Sequence, residues 1–209
     1  MTKHGEKFWI LTLTLAFLLG ILLDSFSLFQ RECREIREDV LRLHILANSD
    51  SAEDQAVKLL VRDRILAESG SLFNSAADKT SAREKAAENT GRVEELAEEV
   101  LAEEGFSYPV TAKVTRQFFD TRVYDGFTMP AGWYDSLQIV LGEGEGHNWW
   151  CVLYPPLCIS AAEKAQEELE ESFTEEELRV LEAEPQYEVR FFLVELAGKI
   201  GNWLGSLSD

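Results

Sequence analysis

Basic residues are scarce in this sequence. Only 20 of its 209 residues are Lys or Arg, against 38 Asp or Glu, which gives a net charge of −18. Such an excess of carboxylates repels phosphate backbones, so nucleic-acid binding is excluded. It also argues against docking on anionic lipid through a basic face. The 45% share of hydrophobic residues excludes a wholly disordered chain.

Cysteine and histidine are also few, with three of each, and their spacing fits no metal site. No Gly-x-Ser-x-Gly, His-Glu-x-x-His or Cys-x-x-Cys motif occurs. The glycine-rich turn at 142–146 lacks a following Lys-Ser/Thr, and its Glu143 and Glu145 would repel an anion. We therefore expect no cofactor, no metal, no catalytic residues and no enzymatic activity.

The acidic residues are concentrated late in the chain. The range 163–184 holds ten Glu against Lys164 and Arg179, whereas the first thirty residues carry no net charge. The excess therefore belongs to residues 31–209. Capping boxes at Ser160/Glu163 and Thr174/Glu177 predict two short acidic helices there, ended by Pro185.

The N-terminus carries the one long apolar run. Lys3 and Lys7 precede the uncharged Phe8–Leu23, the pattern of a signal peptide or membrane anchor. As a helix this run would rise about 24 Å, short of the roughly 30 Å hydrocarbon core of a bilayer. We predict that residues 1–30 export the chain, contact the membrane during export and are then cleaved or kept as an anchor (residues 8–29). The lysines would stay cytoplasmic, and residues 31–209 would form one exported acidic domain.

Hydrophobic periodicity predicts an α+β domain in the order β-α-α-β-β-β-α-α-β-α, with a mostly antiparallel sheet and helices packed on it. The first strand, Val40–Ala47, alternates Leu41, Leu43 and Ile45 with polar residues and is expected to be half-buried. Capping boxes at Asp50/Glu53 and Ser81/Glu84 begin two helices. Three further strands are expected at Val110–Phe118, Leu137–Leu141 and Trp149–Leu153, the last two as a hairpin; Tyr187–Leu196 is expected to be a strand buried on both faces.

Two pairs near residue 150 are unusual. Trp149 and Trp150 point to opposite faces of a strand, so we expect one in the core and the other available for binding. Cys151 and Cys158 bracket Pro155 and Pro156 and form either a disulfide or two buried thiols.

Three blocks of the sequence together resemble one family. LRLHILANSDSAEDQAVKLLVRDRIL (Leu41–Leu66), MPAGWYDSLQIVLGEGEGHNWWCVLYPPLCI (Met129–Ile159) and YEVRFFLVEL (Tyr187–Leu196) are similar, in order, to stage II sporulation protein R of endospore-forming bacteria. The chain departs from that pattern at His44, where the family favours Arg, and at 135–138.

The resemblance implies a signalling protein rather than an enzyme. Such a protein is exported across the forespore membrane into the space between forespore and mother cell. There it activates a membrane-embedded aspartic protease of the mother-cell membrane, which removes the pro-sequence of the mother-cell sigma factor. The matching positions that could contact this partner are Arg42, Asn48, Ser49, Asp50, Asn148, Trp149, Trp150, Pro155 and Pro156. Arg42, Asn48 and Asp50 have an equally good alternative role as strand-end and helix-cap residues.

A second hypothesis belongs to another class. An exported thiol enzyme could use Cys151 or Cys158 as nucleophile with His147 or His44 as base. Only the residue types support it.

Overall fold

A long N-terminal helix dominates one end of the molecule. The computed structural model describes residues 3–73, 78–124, 126–157, 168–183 and 189–206. Helix α1 runs without a break over Lys3–Asp39. The large apolar side chains from Trp9 to Leu23 are 51–70% exposed, whereas Phe29, Cys33 and Ile36 are buried. One helix therefore joins the apolar segment to the folded core, across the boundary expected at residue 30.

The central sheet has four strands in the order β2-β5-β1-β6. The strands are β1 Leu41–Leu46, β2 Val110–Phe119, β5 Gly132–Leu141 and β6 Asn148–Tyr154, and a separate two-stranded ribbon joins β3 Arg122–Val123 to β4 Thr128–Met129. β1 pairs parallel with β5 and antiparallel with β6, while β2 pairs antiparallel with β5. The sheet is thus mostly antiparallel, as predicted. The expected hairpin is wrong, because β1 lies between β5 and β6.

Four helices cover one face of the sheet. They are α2 Ala52–Ala67, α3 Ser69–Phe73, α4 Lys79–Glu88 and α5 Thr90–Glu103. Their apolar stripes, among them Val57, Val61, Leu96 and Val100, pack against Leu43 and its neighbours in one continuous core. The predicted strands and helices are present here, and the break near Gly91 falls at Asn89 between α4 and α5.

Two predicted caps are displaced. Helix α2 is capped by Ser51, whose hydroxyl accepts from the Asp54 amide, and not by Asp50. Helix α4 is capped by Asp78 in a capping box in which Ser81 is the third helical residue. In each case two neighbouring polar residues could serve as a cap, and the backbone path into the helix selects between them.

The other face packs against α1, α6 and α7. The Thr174/Glu177 capping box begins α6, Glu175–Leu181, as predicted. The strand predicted at Tyr187–Leu196 is wrong from Val189 onward, because α7 covers Val189–Ser206. Its helix is apolar on most of its surface, and that continuous run of Phe, Leu and Val matches a buried strand equally well. The Ser160/Glu163 box, Pro185 and Cys158 lie outside the described residues.

Candidate functional site

The predicted contact residues do not form one site. Asn48, Asp50 and Asn148 lie at one end of the sheet, where β1 ends and β6 begins. Pro155 and Pro156 follow the opposite end of β6, about 20 Å away at the usual strand rise. Arg42 and Trp150 lie beneath the sheet, on the face that α1 and α6 cover.

At the first end, the turn after β1 holds the glycine-rich turn after β5. The amides of Glu145 and Gly146 donate to the Asn48 and Ala47 carbonyls at 3.2 and 3.0 Å, and the Glu143 amide donates to Asn48 Oδ1 at 3.0 Å. Gly146 is needed for this approach, because a Cβ there would overlap the Ser49 carbonyl. We call the two turns, residues 47–51 and 142–147, the clasp.

Asp54, at the start of α2, holds the clasp together from its buried side. Its carboxylate accepts from Asn48 Nδ2 at 2.9 Å, Ser49 Oγ at 2.6 Å and Tyr108 Oη at 3.1 Å, and the residue is only 5% exposed. Burial by itself raises the pKa of Asp54, but these hydrogen bonds outweigh burial and hold the pKa below its usual value. Asn48 and Ser49 therefore have a structural role.

Asp50 and His147 form the outer part of the clasp. The Asp50 carboxylate accepts from the His147 amide at 2.6 Å and also contacts the His147 ring, which lowers the pKa of Asp50. Both side chains remain exposed. Buried Lys58 donates to the His147 carbonyl at 2.8 Å, and burial lowers its pKa. The clasp is therefore held together by hydrogen bonds within the protein, and it exposes the Asp50 carboxylate and the His147 imidazole to solvent.

Arg42 is a core residue. It is 0% exposed, donates from Nη2 to Tyr124 Oη, and its guanidinium lies 4.3 Å from the centroid of the Phe119 ring and 5.1 Å from that of Tyr134. Its Nε and Nη1 have no hydrogen-bond partner among the described residues. Aromatic rings therefore stabilise its charge. A partner could not reach Arg42 without local opening of the fold.

His44 lies beside Arg42 in a buried polar row. Its Nδ1 is 3.1 Å from Gln117 Oε1, and Gln117 in turn donates to Ser136 Oγ at 2.5 Å. The imidazole stacks on Trp150 with 3.7 Å between ring centroids. Burial lowers the pKa of His44 to about 4, so the ring is neutral at physiological pH.

The two tryptophans do point to opposite faces, as predicted, but both are half-buried. Trp150 packs on His44 and Phe119 in the lower core, on the sheet face that α1, α6 and α7 cover; the upper core is on the face that α2–α5 cover. Trp149 packs against the upper core and under the Arg62 guanidinium, 5.1 Å from the ring centroid. Trp149 therefore lies close to the clasp, whereas Trp150 is an internal residue.

The structure contradicts the thiol-enzyme hypothesis in the version that uses Cys151 as the nucleophile. Cys151 is 3% exposed and pairs in register with Leu43, while His44 pairs with Trp150, so the cysteine and His44 are on opposite faces of the sheet. His147 lies four residues before Cys151, about 13 Å along an extended chain. Cys151 is disulfide-bonded, so the alternative of a buried free thiol is wrong for this residue. Cys158 lies outside the described residues, so its being the partner stays a prediction. Pro155 is buried and Pro156 is half-buried.

Sequence reasoning missed two residues that organise the clasp, Asp54 and Lys58, and also Arg62, which lies over the neighbouring Trp149 ring. Each lies on α2 and looks like an ordinary charged helix residue. One available signal is the adjacent pair Asn48 and Ser49, whose side-chain donors share the Asp54 carboxylate as acceptor. Among the described residues, no group of three His, Cys, Asp or Glu could hold a metal ion.

Comparison with known proteins gives one consistent result. The family model for stage II sporulation protein R matches residues 37–164. Stage II sporulation protein R of Bacillus subtilis (strain 168) is 34% identical over 181 residues, covering 77% of this chain and 80% of that protein. No solved structure matches.

Proposed function

Because the chain belongs to the stage II sporulation protein R family, we propose that it is a signal exported from the forespore into the space between forespore and mother cell. It activates a membrane-embedded aspartic protease of the mother-cell membrane, which then processes the mother-cell sigma factor precursor. The family membership supports a role in sporulation. The protease step extends that role to a specific partner.

The observation that carries the export step is the N-terminal half of α1. Among the described residues it is the one helix apolar and long enough to cross a membrane, with a mean hydropathy of 2.0 and none of that stretch buried. An exposed apolar helix of this length is compatible with a signal or anchor segment. It supports delivery of the remaining chain across the forespore membrane.

Two further observations favour binding over catalysis. The sheet separates Cys151 from His44. The one exposed acid–imidazole pair, Asp50 with His147, is held in a turn and has no nucleophile bonded to it among the described contacts. The chain therefore acts through its surface, and its partner supplies the proteolytic chemistry.

We assign the partner contact to the outer side of the clasp. Asp50 and His147 are exposed there, and half-buried Trp149 continues that side onto β6. The Asn148 side chain is hydrogen-bonded to His44 on the opposite face of β6, so Asn148 is not part of this surface. The hydrogen bonds beneath them fix the turn before binding, which lowers the ordering cost of an interface. Half-buried Trp149 is an aromatic anchor of the kind that contributes strongly to binding energy.

Deletion of the gene tests the proposed function. We expect the sigma factor precursor to remain unprocessed on immunoblots, while a forespore-specific reporter still switches on. Re-expression of the full chain in the forespore should restore processing. Normal processing in the deletion strain would contradict the proposal.

Paired variants test the contact surface. We expect Asp50→Ala combined with His147→Ala to reduce processing at least about tenfold, because both exposed groups leave the surface. Glu98→Ala, an exposed acid on α5 on another side of the molecule, is the control and should process normally. Thermal unfolding of both purified proteins shows whether the fold persists. Full processing by the folded double variant would eliminate this surface.

A further inference from the structure

Helix α7 is apolar on the side that faces away from the core. Its inward residues Phe191 and Val194 are 2% and 4% exposed. Its outward residues are large and apolar as well, and they are 40–65% exposed: Phe192, Leu193, Leu196, Ile200 and Trp203. A helix that is apolar on both sides is typical of one lying between a protein core and a second apolar medium.

This outward stripe is close to the apolar segment of α1. The Phe191 ring packs edge-to-face on Phe29, with 5.2 Å between centroids. Phe29 lies six residues after Leu23, the last residue of the uncharged run, or about 9 Å along the helix axis. The first turn of α7 is therefore near the level at which α1 would leave a bilayer.

A basic cleft lies beside the same two helices. It has a volume of about 440 Å³ and is walled by α1, α4, α7 and the paired ends of β2 and β5. Four cations (Arg34, Arg37, Lys79 and Arg116) and two carboxylates (Glu38 and Asp135) line it, so it carries a net charge of +2 in a chain of −18.

Two of the cations are committed to the fold. Lys79 pairs with Asp135 at 2.7 Å, and Arg37 donates to the Ala131 carbonyl at 3.0 Å. Arg34 and Arg116 are exposed, and neither has an ion pair or hydrogen bond with another described residue. Two guanidinium groups facing one cleft match the geometry of a phosphate, which arginine binds through paired N–H donors.

We propose that this cleft binds the phosphate of an anionic phospholipid headgroup while the outward stripe of α7 lies in the membrane surface. The apolar stripe contacts the acyl boundary, and Arg34 and Arg116 contact the phosphate beside it. The local charge thus differs in sign from the whole chain. In this orientation α7 lies at the bilayer surface. The surface that contacts lipid is distinct from the clasp, to which the partner contact is assigned.

The test uses the full chain in vesicles, with Trp203 fluorescence as the first readout. Vesicles contain phosphatidylcholine alone or with one third phosphatidylglycerol, each carrying lipids brominated near the headgroup. Subtracting the signal of Trp203→Phe isolates Trp203 from the other four tryptophans. We expect Trp203 to be quenched in the phosphatidylglycerol vesicles. The proposal is overturned if the brominated lipids do not quench Trp203. It is also overturned if Trp203 becomes shielded from solvent only because the chain associates with itself.

The second readout is the affinity of the detergent-solubilised full chain for short-chain phosphatidylglycerol. We expect Arg34→Gln with Arg116→Gln to weaken binding at least about tenfold, because two charge-assisted contacts are lost. Arg64→Gln with Arg92→Gln removes the same charge from the opposite layer of helices and should bind normally. Equal binding by both double variants overturns the proposal. So does a cleft that binds inorganic phosphate but not the lipid, because the source would then be a free anion.

Discussion

On the upper face of the central sheet, Leu43 and Ile45 pack into a wholly apolar core under α2, α4 and α5. On the lower face, the same strand contributes Arg42 and His44, which are equally buried but surrounded by aromatic rings and amide side chains. The upper face gains stability from apolar area removed from water. The lower face must satisfy buried polar groups, so each residue there depends on a particular neighbour.

The largest expected effect is on the upper face. Leu43→Ala should lower the free energy of unfolding by about 2–5 kcal/mol, because Leu43 is fully buried and its removal leaves a cavity. Urea-induced unfolding followed by circular dichroism measures the change. Leu60→Ala, at a leucine 42% exposed on α2, is the control and should cost under about 1 kcal/mol. Equal losses would contradict the assignment of Leu43 to the core.

The next largest effect is a pH dependence of stability, which reports on the lower face because His44 is buried there. His44 has a pKa of about 4 in the folded chain against 6.5 for the free side chain, so between these values the unfolded state binds more protons. Stability should be full above about pH 6.5 and fall by about 1 kcal/mol per pH unit towards pH 4.

His44→Gln is the matched variant, because glutamine does not titrate in this range. The unfolding free energy of this variant should fall less between pH 7 and pH 4.5 than that of the wild type. The difference between the two decreases is the contribution of His44. Parallel profiles for the two proteins would show that His44 does not stay neutral in the fold.

The two tryptophans compare the faces at a single strand, with expected losses below the upper end of that for Leu43→Ala. Trp150→Ala should cost about 2–3 kcal/mol, less than a fully buried tryptophan, because it removes the stack on His44 and the contact with Phe119. Trp149→Ala should cost about 1 kcal/mol and reduce signalling more than stability. Thermal unfolding and sigma factor processing, measured on both variants, separate these effects. A reversed order of stability losses would contradict the packing.

The smallest expected change is at Arg42. Arg42→Met should leave the unfolding free energy within about 1 kcal/mol of wild type, because Nε and Nη1 are buried with no hydrogen-bond partner in the described part of the chain and methionine fills a similar volume. Urea unfolding measures this, with Arg42→Ala as the comparison that leaves a cavity. A loss above about 2 kcal/mol for Met would show that the cation–π contacts exceed the cost of burial.

Alternation of apolar residues predicted most strands and helices correctly, because Val110–Phe119 and α5 each have a clear apolar face. It did not predict that β1 is buried on both faces. Arg42 and His44 look solvent-exposed in the sequence, and only the aromatic rings of β2, β5 and β6 that lie against them make their burial tolerable.

The remaining errors come from information that is not local. A short glycine turn between two strands predicts a hairpin, but the insertion of β1 between β5 and β6 depends on pairing across about ninety residues. The candidate contact residues were chosen from sequence blocks, and a block contains core, turn and surface positions alike. The clasp depends on Asp54 of α2 holding Asn48 and Ser49, and on Asn48 in turn holding the turn after β5, contacts that no local sequence pattern encodes.

The continuity of α1 limits how far this domain can stand from a bilayer. No flexible linker separates the apolar run from Phe29, which is already part of the core. Under the proposed function, an intact α1 mounts the domain on a rigid stalk of about 9 Å, so the domain can meet only partners close to the membrane that holds the apolar run. Removal of the apolar run would free it to cross a wider gap by diffusion. Under the proposed function, cleavage of this one helix would therefore set the distance over which the protein can reach its partner.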